Sequence, residues 1–234
     1  MKLCIILLLS LMTGLFSMET QILNKGKIIF SEDFSKDLEI KKPRWWIKQN
    51  TRWSVKNGLL IGIPATSEYQ AMKKKEGKGH LGDIPRIGLG KMPKSYIMSF
   101  KFQMDDKGWN KRVPMFEFGH HVSRLFFTKE GAKLLTDDEK VQHMVDTKLI
   151  PKAFKWYKVL AEVGQEDLFI QVKDESGTIS KFYCHYPKFK EAANTSFQIA
   201  TTIQGTLKMD DIKFWQSTGL QKNWKTKIPQ NKEK

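Results

Sequence analysis

"SYIMSFKFQMD", residues 95–105, alternates without a break: Tyr96, Met98, Phe100, Phe102 and Met104 fall on one face, Ser99, Lys101, Gln103 and Asp105 on the other. Successive side chains of an extended chain point to opposite sides, so this pattern specifies a half-buried strand. The same period recurs in "WYKVLAEVG" (Tyr157, Val159, Ala161, Val163), "LFIQVKD" (Leu168, Ile170, Val172) and "SFQIATTI" (Phe197, Ile199, Thr201, Ile203). Turn residues separate such runs. Asn57-Gly58 between "WSV" and "LLIGI" is a hairpin signal, and Glu175-Ser176-Gly177 joins two more strands.

Helical periodicity is confined to about residues 134–147, where Leu134, Leu135, Val141, Met144 and Val145 suit a short helix or an ordered loop. The stretch 73–91 breaks the strand pattern and is expected to be a long loop. Short strands with no alternating helices predict an all-β sandwich of two antiparallel sheets, with at most one or two short helices.

Residues 1–17 read as a secretory signal peptide: Met1-Lys2, an apolar run from Leu3 to Leu9, then Gly14 and Ser17. That run is shorter than the roughly 20 residues a membrane span needs, so an exported protein without a transmembrane segment is expected. The rest divides into one domain over 18–216 and a basic, flexible tail over 217–234. Cys184 is the one cysteine after the signal, which leaves no intramolecular disulfide. The formal charge of +15 draws polyanions, either sulfated or uronic polysaccharide or lipid head groups. It equally keeps an exported chain in solution. Export argues against nucleic acid as the partner.

Three stretches occur in order: "IIFSEDFSKDLE", "WWIKQNTRWSVKNGLLIG" and "GTLKMDDIKFWQ". Together they resemble the concanavalin A-like jelly-roll domains of exported bacterial proteins classed as 3-keto-disaccharide hydrolases or family-16-glycosidase-like, over about Ile28 to Gln216. The resemblance implies carbohydrate as ligand or substrate, and first and last strands lying side by side. Asp33 and Asp210 or Asp211 would then approach one another as oxygen ligands for a structural calcium ion, or else cap turns and face water.

Glu117 is the carboxylate the resemblance singles out. In a strand over 113–121, Met115, Glu117, Gly119 and His121 share one face, with Phe116, Phe118 and His120 on the other. Family-16 enzymes space their acids two residues apart on one strand. Here Gly119 and His121 stand where the further acids would be, and retaining hydrolysis needs two carboxylates roughly 5–5.5 Å apart. Glu117 is left as a lone base, or as a polar pair with His121. The implied keto-sugar chemistry admits a single base, because a 3-keto group makes the glycosidic bond breakable by elimination.

Sugars stack on aromatic faces beside polar groups. Trp45, Trp46, Trp53 and Trp109 are the tryptophans to place; Trp109, with Arg112 and Arg124, is either a platform for an anionic sugar or a plug beneath its loop. A non-catalytic surface protein with a lectin-like fold is the alternative to a binding domain or hydrolase. The five histidines show neither H-E-x-x-H nor its reverse. "GKGHLG" (77–82) matches G-x-G-x-x-G without the helix that a nucleotide site requires.

Overall fold

In the computed structural model, residues 18–77, 79–90, 92–109, 112–119, 121–136, 149–189 and 196–228 are described. In chain order they form β1 (Leu23–Glu32), β2 (Trp45–Ile47), β3 (Arg52–Lys56), β4 (Leu59–Ile63), α1 (Ser67–Lys75), β5 (Arg86–Leu89), β6 (Tyr96–Met104) and β7 (Met115–Phe118). There follow β8 (Ser123–Thr128), β9 (Gly131–Thr136), β10 (Trp156–Val163), β11 (Asp167–Lys173), β12 (Ile179–His185), β13 (Phe197–Ala200) and β14 (Leu207–Leu220). The signal-peptide region and His120 lie outside the described residues. No helix among those described is long and apolar enough to cross a membrane.

Two antiparallel sheets stack into a sandwich. One runs β12-β11-β10-β6-β14-β4-β3, with β1 also paired to β14; the other runs β2-β5-β13-β7-β8-β9. First and last strands are therefore neighbours, as expected. A bulge at Asp210–Lys213, where Asp211 turns to φ 51°, divides the edge of β14 between β4 on one side and β1 on the other. The Asn57-Gly58 turn closes β3–β4 with both residues at positive φ, 53° and 72°.

Aromatic rings fill the space between the sheets. Phe116 stands edge-on to Phe100 and Phe102 at 5.0 and 4.8 Å, and to Phe127 at 5.0 Å. Such pairs add about 0.5–1.5 kcal/mol each beyond the area they bury. Trp45 belongs to this core; Trp53, partly buried, lies over Gly62 of the facing strand, where any Cβ would meet its ring.

β6 departs from the half-buried reading. Ile97 and Ser99, on its outer face, are buried as well, because a second apolar layer covers that sheet. Ile22 and Leu23 from the N-terminal strap pack there on Ile97, Leu160 and Phe169. Trp224 joins them beside Tyr183. The segment after 217 is consequently built into the domain as far as residue 228: it continues β14 to Leu220, and the Gln221 amide donates to the carbonyls of Thr20 and Leu23.

Two elements differ from expectation. The stretch expected to be a long loop holds β5, whose Ile87 and Leu89 are core, and the last turn of α1. That helix buries no residue, so it carries no apolar stripe; its ends make it. Thr66 accepts the Tyr69 N–H, Glu68 sits in the first turn and Lys73, Lys74 and Lys75 in the last, which complements the helix dipole. Leu134 and Leu135, expected in a short helix or an ordered loop, lie instead in β9, and 137–148 fall outside the described residues.

Candidate functional site

The registers of the six-stranded sheet align one residue from each strand in a row across its outer face: Trp46, Gly88, Gln198, Glu117, Arg124 and Leu135. Their chain neighbours Trp45, Ile87, Ile199, Phe116, Leu125 and Leu134 point into the core on the alternate face. Beside the row, Lys48 adjoins Arg86, its N–H donating to the Arg86 carbonyl at 3.1 Å.

Glu117 is the centre of this face, with only 3 % of its surface exposed. One carboxylate oxygen accepts the His121 backbone N–H at 2.8 Å and the Arg124 Nε–H at 3.4 Å; the other accepts the Gln198 amide at 2.8 Å. The carboxylate thus ties β13, β7 and β8 together. Three cations surround it. Burial pushes the Lys48 ammonium and the Arg86 guanidinium below their ordinary values, and the Glu117 charge opposes that shift in both. Arg86 Nε is buried without a hydrogen-bond partner. The Lys48 ammonium sits 2.8 Å from the centroid of the Trp46 ring, which is 36 % exposed.

Lys48, Arg86 and Arg124, set against Glu117 and the Asp83 charge that also acts on Arg86, give the face a positive excess, suited to an anionic or hydroxyl-rich ligand. No second acid stands in the row, so it does not supply the carboxylate pair of a retaining glycosidase.

The expected pairing of Glu117 with His121 is corrected in its form. β7 ends at Phe118, and Gly119 (φ 70°) and His121 (φ 62°) turn the chain through left-handed conformations that no strand holds. His121 therefore meets Glu117 through its backbone N–H, while its ring Nδ1 lies against the Arg124 guanidinium. Arg124 does face outward beside Glu117, as the site requires. Trp109 is the plug: it packs against the main core and donates its indole N–H to the Asp105 carbonyl at 2.9 Å. Arg112 is exposed on the same loop.

The aspartates considered for calcium are committed elsewhere. Asp33 accepts the backbone N–H and hydroxyl of Ser35, which hold its carboxyl below the ordinary value. Asp211 pairs with Lys213, and Asp210 with Lys101 at 3.3 Å. Among the described residues no group of three or more His, Cys, Asp or Glu is placed to hold a metal.

Lys48, Arg86 and Gln198 escaped the sequence reading. Arg86 lies in the stretch expected to be a loop, and Lys48 falls just past the end of β2, where no alternation marks it. Gln198 left a readable sign, a polar side chain at an outward position of an otherwise apolar strand.

No protein-family model matches the chain, and no curated protein sequence matches it. Solved structures do. A Lotus tetragonolobus seed lectin superposes at a TM-score of 0.53 with 10% identity, covering 78% of this chain and 96% of the lectin. Lectin UEA-II complexed with galactose gives 0.53 with 11% identity, over 81% and 99%. The xylan β-1,4-xylosidase of Bacillus halodurans gives 0.51 with 10% identity, over 86% of this chain but 40% of the enzyme. At these identities the likeness is one of fold, and the fold is the concanavalin A-like jelly roll.

Proposed function

We propose that the chain is an exported carbohydrate-binding domain whose ligand lies along the Trp46–Arg124 row and carries uronic or sulfate groups. The observation that carries this reading is the set of Lys48, Arg86 and Arg124 gathered around Glu117 beside the exposed Trp46. Trp46 offers a ring to the C–H face of a sugar, and the cations take its anionic groups. Lectins among the structures of like fold support the ligand class; they do not name the sugar.

Glu117 acts here as a positioning residue that orients Arg124 and Gln198. Both of its oxygens are taken up by protein donors and almost none of its surface reaches solvent, so binding is favoured over keto-sugar hydrolysis. Titration calorimetry with uronic, sulfated and neutral oligosaccharides tests the proposal. Anionic sugars should bind with an affinity that falls as salt rises, and Trp46→Ala or Arg86→Gln should weaken binding about tenfold or more. Binding that ignores both substitutions would sink the assignment, as would a preference for neutral sugars. Release of products that stops in Glu117→Gln would return the site to catalysis.

A further inference from the structure

A recess of about 310 Å³ opens at the edge of the sandwich. Its walls are Phe30 of β1, Leu89 of β5, Phe214 of β14 and Met92, so both sheets contribute. Exposed Ile29 continues the apolar surface outward. Among the described residues that line it, the cation at its rim is Arg44, whose guanidinium lies 5.2 Å from the Phe30 ring centroid. No carboxylate among the described residues pairs with Arg44. Its place is set by the backbone: Gly90 donates its N–H to the Arg44 carbonyl at 3.2 Å, and a Cβ on Gly90 would stand 2.8 Å from the Pro43 carbonyl oxygen.

A second observation concerns the residues behind the walls. Buried polar groups nearly always find a partner, and each exception asks for an explanation. Two exceptions lie behind its lining residues Phe30 and Phe214. Trp45, set edge-on to Phe30 at 5.9 Å, keeps its indole N–H buried without an acceptor; Tyr96, 6.1 Å from Phe214, keeps its hydroxyl likewise. Apolar walls and, at the mouth, a cation with no carboxylate partner among the described residues describe a cleft for a ligand with a long apolar body and an anionic end.

We propose that this recess binds an amphipathic carboxylate, with the carboxylate on Arg44 and an acyl chain between Phe30, Leu89, Met92 and Phe214. At roughly 30 Å³ for a water-sized group, the volume accommodates on the order of ten methylenes. The charge decides the class: a neutral alcohol of equal length leaves Arg44 unmatched, and a cationic amphiphile is repelled by it. The site is separate from the sugar-binding row and does not depend on that reading.

Decanoate, decanol and decyltrimethylammonium are the probes, all below their micelle-forming concentrations, titrated into the full chain by calorimetry and by ¹⁵N NMR of the tryptophan indole N–H signals. Saturable one-to-one binding is expected for decanoate, with the Trp45 signal, assigned through Trp45→Phe, shifting as the site fills. Arg44→Ala should weaken decanoate about tenfold while leaving decanol unchanged, and Met92→Trp should abolish binding by filling the recess. Arg44 is exposed, so its loss does not endanger the fold. Equal affinity for decanoate and decanol overturns the proposal. So does decanoate binding that survives both substitutions, or no saturable binding of decanoate at all.

Discussion

Glu162 lies at the middle of the outer face of the eight-stranded sheet, with none of its surface exposed, and accepts the backbone N–H groups of Gln21, Ile22 and Leu23 at 2.7, 2.9 and 2.8 Å. Replacing it with alanine removes all three acceptors. Ile22 and Leu23 are buried to 0 and 1 % exposure, so two donors are stranded at about 1–3 kcal/mol each, or about 2–6 kcal/mol together. The strap has another course: it can detach and let water reach those donors. Detachment forfeits the burial of Ile22 and Leu23, about 1.5–3 kcal/mol each. The two costs are of equal size, so the damage should appear as release of the strap rather than as global unfolding. Amide hydrogen exchange measures this directly. In Glu162→Ala the Ile22 and Leu23 amides should lose on the order of a hundredfold protection, a little under 3 kcal/mol, while the β6 and β10 amides keep most of theirs. Unchanged exchange at Ile22 and Leu23 would refute the reasoning. The pH dependence has a definite sign. Burial raises the Glu162 carboxyl above the ordinary value of 4.5, against the pull of the three N–H donors. With its folded value above its unfolded one, the contribution is complete below 4.5 and is lost as pH rises through the folded value. Wild type should therefore gain stability relative to the variant as pH falls from 7 towards 4.5.

Cys184 is fully buried and its thiol is pushed up to about 12, so a thiol-reactive disulfide should leave the native protein unlabelled at pH 8 and modify it only as it unfolds. Stoichiometric labelling within minutes in native buffer contradicts this. Chelation is the third test: with Asp33 held by Ser35 and Asp211 by Lys213, excess EDTA should leave Tm where it was and added calcium should not raise it. A fall of several degrees on chelation would mean that oxygen ligands assemble elsewhere.

The strands were legible wherever one face meets the core and the other meets water or a thin covering layer. β10, β11 and β13 appear at their expected places for that reason. β5 was not, because Arg86, Gly88 and Gly90 interrupt Ile87 and Leu89, and the run between the turns is too short to show a period. α1 was hidden differently: a helix that buries nothing has no periodicity to display, and only Thr66 and the ordered charges mark it. For the site, Glu117 and Arg124 could be found because they lie close in sequence across one hairpin. Arg86 and Gln198 reach them from two other strands and Lys48 from just past the end of β2, and their nearness depends on the order β2-β5-β13-β7, which no local pattern encodes. Glu162 fell on the solvent side of a clean alternation; that the chain's own first residues cover it is again a long-range fact.

Leu23 faces Leu220 in the antiparallel pair of first and last strands. Tension applied through the two ends of the domain would therefore load that seam like a zipper, one hydrogen bond after another, instead of shearing the whole ladder at once. The strap on Glu162 is the first attachment in line, the β1–β14 ladder the next, and Phe30 leaves with β1. Mechanical load would thus dismantle the recess before it disturbed the aromatic core or the opposite sheet.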